Sequence, residues 1–210
     1  MFINTLNEAA LRILKKVAQL PQIPDFYLAG GSAAALYLGH RVSVDLDFFT
    51  EHESYESEPL IQSIQSVGNL KLQQQSRGTL VGVLDNIQIS FFTYPYALLE
   101  VPDNLEGVRI ASLLDISLMK IIAISQRGKM RDFVDLYFLC QEKFTLVDLL
   151  KSIPRKYPTV TYPSYHLLRS FVYFTDAEED VPPRSLIEWD WNEIKEFFRN
   201  EVKEIMQRMV

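Results

Sequence analysis

The sequence predicts an α+β protein: a mixed sheet with flanking helices in the first half, followed by a helical second half. Three observations predict it. Runs with period-two alternation fall before residue 95, and after Pro102 the apolar residues recur at helical spacing. The chain has 210 residues, 48% hydrophobic and 23% charged, which suits a globular protein with a real core. The change of character divides the chain into two units, residues 1–107 and 108–210.

The elements follow in order. Leu6, Ala9, Ala10, Ile13, Leu14 and Val17 predict an amphipathic helix over 5–20, ended by Pro21 and Pro24. Phe26 to Ala29 reads as a short apolar strand. Gly30 and Gly31 turn the chain, and an alanine-rich helix is expected over 32–38. Val44 to Thr50 alternates like a strand. A polar, acidic loop over 51–58 precedes a helix through Leu60, Ile61, Ile64 and Val67, broken by Gly68-Asn69. Strands are expected over 70–75, 79–84 and 87–94, with Asp85-Asn86 as the tight hairpin turn between the last two. Ser112 to Asp115 is a capping-box pattern opening a helix that carries Leu118, Met119, Ile122 and Ala123. Further helices are expected over 129–140, 146–151, 164–174 and 191–208.

Composition excludes several classes. No apolar run reaches the ~20 residues that span a bilayer, and Asn7 and Glu8 interrupt any signal-peptide core. The single cysteine, Cys140, cannot form an internal disulfide and lies in an apolar stretch, which suits a reducing compartment and a structural thiol. A cytoplasmic location is expected. The net charge of −6 argues against general adhesion to nucleic acid, although Arg127, Lys129 and Arg131 form a local basic patch. His40, His52 and His166 lack the spacing of a zinc site.

The chemistry concentrates in residues 26–50. Residues two apart on a strand share a face, so Asp45 and Asp47 project together while Leu46 and Phe48 pack opposite. Two carboxylates about 6 Å apart repel by roughly 3 kcal/mol at an effective dielectric near 20. A hard divalent cation removes that penalty, and Mg²⁺ binds through one or two carboxylates plus substrate phosphates. Upstream, Gly30-Gly31-Ser32 lies between a strand and a helix N-terminus, where free N–H groups attract phosphate. Neither G-x-x-x-x-G-K-[ST] nor G-x-G-x-x-G is present. His40 and Arg41 suit either surface polarity or contact to a base or phosphate. Asp132 and Asp135 share a helix face, where an ion pair of Asp135 with Arg131 is the bland alternative to a functional role. The aromatic residues after Phe171 are expected in the core.

The stretch "GGSAAALYLGHRVSVDLDFF" resembles the glycine plus Asp-x-Asp signature of the polymerase-β-like nucleotidyltransferase superfamily. Gly39-His40-Arg41, Asp45 to Phe49, Met119-Lys120 and Arg131 to Tyr137 are similar, more narrowly, to the AbiEii/AbiGii toxin family. The resemblance covers residues 30–139. It implies a nucleotidyltransferase-like domain over 1–107 and a helical domain over 108–210 that contributes to the active-site cleft. It also implies Mg²⁺ and transfer of a nucleotide from an NTP to an acceptor such as tRNA, by a toxin with a cognate antitoxin. The roles it implies are Gly31 and Ser32 at the phosphates, Asp45 and Asp47 as metal ligands, Lys120 at the nucleotide, and Asp132 with Asp135 as a later acidic motif. One departure stands out. Many of the superfamily place a third carboxylate on a neighbouring strand, where "NIQISFFTYPY" offers only Gln88 and Ser90. Either one metal suffices, or a helical acid such as Asp135 completes the site; the rival is a nucleotide-binding or protein-interaction module without turnover.

Overall fold

The computed structural model describes residues 1–209. A central sheet is built from β1 (Tyr27–Leu28), β2 (Leu46–Thr50), β3 (Leu70–Ser76), β4 (Thr79–Leu84), β5 (Ile87–Thr93), β6 (Asp103–Leu105) and β7 (Val108–Ile110). Its order is β3-β4-β5-β2-β1-β7-β6, with β2 antiparallel to β1 and parallel to β5. The helices are α1 (Glu8–Val17), α2 (Gly30–Leu38), α3 (Ser57–Val67), α4 (Leu113–Arg127), α5 (Met130–Glu142), α6 (Leu146–Lys156), α7 (Ser164–Ser170), α8 (Thr175–Glu178) and α9 (Trp191–Met209). A mixed sheet followed by a helical half is the expected class.

Local chemistry sets the boundaries. The Asn7 side chain accepts from Ala10 N at 2.7 Å and starts α1 three residues later than the periodicity suggests. Asp85 and Asn86 both have positive φ, +47° and +70°, the conformation of a two-residue hairpin turn. The β2 strand starts at Leu46 rather than Val44 because the preceding backbone is engaged elsewhere. Ser43 N donates to Thr5 O, Val42 N to Arg184 O, and the Ser32 hydroxyl to Asp45 O. The hairpin β6–β7 was not expected from the sequence, since three-residue strands carry too little alternation to register. Its turn residues Glu106 and Gly107 have φ of +55° and +90°, and Asn104 Oδ1 accepts from Gly107 N. Because β7 pairs with β1 in parallel, the sheet extends to Ile110, beyond the division placed at 107/108.

Two apolar clusters lie on either side of α4. One gathers α1, α2, α3 and the sheet, including Phe26, Leu28, Phe48 and Ile116. The other gathers the later helices, including Leu118, Phe133, Phe171 and Phe198. The late aromatics Phe171, Phe174 and Phe198 are thus core, as expected, whereas Tyr173, expected there too, is exposed because it falls in the turn between α7 and α8. Asp115 fastens the second half to the chain after β5. Its carboxylate accepts from Leu99 N at 3.0 Å and from Lys156 Nζ at 2.8 Å, and Lys156 also donates to Ala97 O. Neither ionic side chain is exposed. Lys156→Ala is therefore expected to cost about 3–5 kcal/mol, because it strands a buried carboxylate. Urea unfolding checks this, and a loss no larger than the ~1 kcal/mol of a surface pair would mean that Asp115 finds water on its own.

Candidate active site

The site begins where β1 runs into α2. Gly30 takes φ +65°, and a Cβ there would lie 3.1 Å from Asp47 Oδ2. Glycine is required on both counts, by conformation and by close approach. The backbone closes the same contact, with Ala29 N donating to Asp47 O at 3.1 Å. The α2 helix thus starts at Gly30, two residues earlier than expected, and its first-turn N–H groups stand beside the Asp47 carboxylate. Gly31 leaves room for the Arg41 guanidinium, which a Cβ would strike. Ser32 is buried, and its hydroxyl contacts Asp45 O and the Ser43 hydroxyl. That hydroxyl pins the Asp45 loop to the helix.

Along β2, Leu46 and Phe48 are fully buried while Asp47 and Phe49 are half-buried, the alternation expected of this strand. Burial pushes the Asp47 carboxyl up. The Ser90 hydroxyl opposes this, the Asp45 charge adds to it, and Arg131 and Lys120 pull it down. Asp45 and Asp47 therefore share one electrostatic environment. Ser90 on β5 is the register partner of Asp47, so the missing third carboxylate would have stood there. Arg131 approaches Asp45 at 4.0 Å rather than pairing with Asp135.

The opposite wall comes from α4 and α5. Lys120 Nζ contacts Asp132 at 2.8 Å and Asp135 at 2.6 Å. Arg127 Nε donates to Asp132 at 2.8 Å. Arg41 grips Asp135 with two hydrogen bonds, 2.6 and 2.9 Å, and His40 Nε2 donates to it at 2.8 Å. His40 and Arg41 are accordingly buried against Asp135, where the sequence left open a contact to base or phosphate. For Asp135, burial alone would raise the carboxyl. The Arg41 and Lys120 charges outweigh it and hold the group well below the usual carboxylate range. Asp132 is lowered similarly, with Lys120 and Arg127 overcoming burial.

Between the walls lies a cleft of about 260 Å³, lined by Gly30, Phe49, Tyr94, Lys120, Arg127 and Tyr162 among others. The cleft thus brings together Gly30, Lys120 and Arg127, with the Asp47 carboxylate against Gly30 and with Asp132 and Asp135 paired to Lys120. Neither Asp45 nor Asp47 is on its lining, and Asp45 lies ahead of β2 rather than on it, because the Ser32 hydroxyl holds its carbonyl. Sequence reasoning missed Ser43, Tyr94 and Tyr162, which belong to no motif. Among the described residues, no group of three or more His, Cys, Asp or Glu side chains is placed to share a metal. The Asp45–Asp47 pair still fits a cation that takes its remaining ligands from phosphates and water. The Cβ-free space at Gly30 beside Asp47 Oδ2 leaves that approach open.

A family model described as nucleotidyl transferase AbiEii toxin, type IV toxin–antitoxin system, matches residues 12–208. An uncharacterized protein of Aquifex aeolicus (strain VF5) is 41% identical over 206 residues, covering 96% of this chain and 98% of its own. JHP933 from Helicobacter pylori superposes with a TM-score of 0.52 at 19% identity, over 97% of this chain and 94% of that one. MenT4, a nucleotidyltransferase toxin from Mycobacterium tuberculosis H37Rv, superposes with a TM-score of 0.55 at 14% identity, over 93% and 84%. At these identities the two structures share the fold.

The ion network makes its own prediction. Asp135→Asn removes the charge that balances buried Arg41 and Lys120, and should cost about 3–5 kcal/mol of stability. Because Asp132 and Asp135 are depressed in the folded state, their contribution is fully present above the unfolded value near ~4 and is lost as pH falls below it. Urea midpoints from pH 7 downward should show the wild type losing more stability than Asp135→Asn. Equal losses would refute the sign.

Proposed function

The chain belongs to the AbiEii nucleotidyltransferase toxin family, and on that premise we propose that it transfers a nucleotide from an NTP to an RNA acceptor such as tRNA. One observation supports the reading: the Cβ-free N-terminus of α2 stands against the Asp47 carboxylate, which would bring phosphate donors beside a metal ligand. The N–H groups of Gly31 and Ser32 would bind triphosphate oxygens. Asp45 and Asp47 would hold Mg²⁺, which when bound neutralises phosphate charge and aligns the leaving pyrophosphate.

Lys120 has three N–H donors, of which Asp132 and Asp135 take two. The remaining donor can meet charge that develops on the transferred phosphoryl group. Arg127, which lines the cleft while paired with Asp132, adds a second fixed cation. The depressed carboxyls of Asp132 and Asp135 make both poor proton acceptors. In this reading they position Lys120 and Arg127 rather than deprotonate the acceptor. No helix among the described residues is long and apolar enough to cross a membrane. Cytoplasmic NTP and RNA, with a cognate antitoxin protein, are the partners this reading calls for.

A second reading has one observation in its favour: Ser90, the register partner of Asp47, is not an acid. A module that binds nucleotide without turnover would result. Incubation with each labelled NTP, total tRNA and Mg²⁺ separates the two. Label should pass from one NTP to RNA, and Asp45→Asn should lower the rate by about 100-fold or more, the several kcal/mol that a metal ligand supplies. The Asp45 side chain is one-third exposed, so its variant should remain folded. Calorimetric binding of an NTP by wild type with no labelled product would favour the second reading.

A further inference from the structure

A second cavity, of about 590 Å³, opens beside the cleft and shares Gln126 and Arg127 with it. We infer that this groove binds the acceptor as single-stranded RNA and leads its 3′ end to the cleft, an inference that rests on the nucleotidyl-transfer reading above. The groove runs between the C-terminal end of α4 and the chain from α7 to α8, and Tyr165, His166, Arg169 and Tyr173 line it.

Composition and exposure point to the ligand. Tyr165 and Tyr173 are 63% and 54% exposed, which leaves their ring faces available to a flat partner. Tyr165 and Arg169 are four apart on α7 and so present one face. Arg169 is exposed and makes no ion pair among the described residues. Half-exposed Arg127 carries positive charge from the groove into the cleft. Aromatic faces interleaved with cations are the surface that a single-stranded nucleic acid needs, with bases on the rings and phosphates on the guanidinium groups.

Charge decides where such a strand can lie. The chain has a net charge of −6, so a polyanion is repelled by most of its surface and accepted only where cations gather. The groove lining carries one carboxylate, Asp176, which sits against Gly128, beside the two arginines Arg127 and Arg169. Continuity of groove and cleft then supplies direction. An acceptor stacked on Tyr165 and Tyr173 would reach Lys120 by passing Gln126 and Arg127, which line both spaces.

The test uses the full chain and a 5′-labelled single-stranded RNA oligonucleotide with a free 3′-hydroxyl. Anisotropy should show wild type binding it, more weakly as salt rises. Tyr165→Ala combined with Tyr173→Ala should weaken binding about tenfold or more, while Tyr165→Phe, which keeps the ring, should bind like wild type. Arg169→Ala should make the slope of log K against log salt shallower by about 0.7. All three substituted positions are exposed, and circular dichroism melts confirm folding. Equal RNA affinity in wild type and the double variant overturns the inference. So does a wild type that binds no RNA at any salt concentration, in which case a protein partner becomes the better occupant. NTP binding by wild type, followed by calorimetry with Mg²⁺, isolates the premise. RNA binding that depends on Tyr165 and Tyr173 without any NTP binding upholds the groove and refutes nucleotidyl transfer.

Discussion

The Asp135 carboxylate has no solvent exposure, accepts hydrogen bonds from His40 and Arg41, and is ion-paired with Lys120. Two of these partners come from the connection between α2 and β2 and the third from α4, so the contact joins the sheet half to the helical half. An ionised carboxylate without water is tolerated only where donors replace the lost hydration. Here Arg41 supplies two bonds in fork geometry and the other partners one each. The cost of separating any of them holds α4 and α5 at a fixed distance from the first turn of α2. The cleft exists because that distance is fixed.

The same network sets the charge of the cleft wall. Arg41, Lys120 and Arg127 carry three positive charges against two on Asp132 and Asp135. The excess cation lines the cleft through Lys120 and Arg127, opposite Gly30 and the start of α2. Cations ordered by ion pairs suit a polyphosphate. The cations are pre-oriented, so little reorganisation is needed when charge shifts during transfer. The rigidity carries a consequence for experiment: Lys120 cannot be removed without exposing its partners, so its loss would alter folding as well as chemistry.

Much of this was legible from local pattern. The Ser112 cap and the Asp85-Asn86 hairpin depend on residues close in sequence and appear where that chemistry places them, whereas the strand around Asp47 begins only at Leu46 and α2 already at Gly30. What was not legible depends on long-range pairing. His40 and Arg41 suited either surface polarity or contact to a base or phosphate, because nothing nearby shows that Asp135, 95 and 94 residues later, is their partner. The β6–β7 hairpin was invisible for a related reason: its strands are three residues long and hold their place through β1. Ser32 was expected with Gly31 at the phosphates, and nothing local shows that its hydroxyl is taken by the Asp45 carbonyl.

Ser90 ties these threads together. Asp47 is raised by burial and raised further by Asp45. A third carboxylate at position 90, on the strand adjacent to β2, would add a like charge worth roughly 3 kcal/mol at about 6 Å, and would need a second cation to offset it. A serine does the reverse, because its hydroxyl favours the ionised form of Asp47. Ser90 therefore suits the proposed single cation at Asp45 and Asp47 better than an acid would. Fixed positive charge comes instead from Lys120 and Arg127, which Asp132 and Asp135 hold in place.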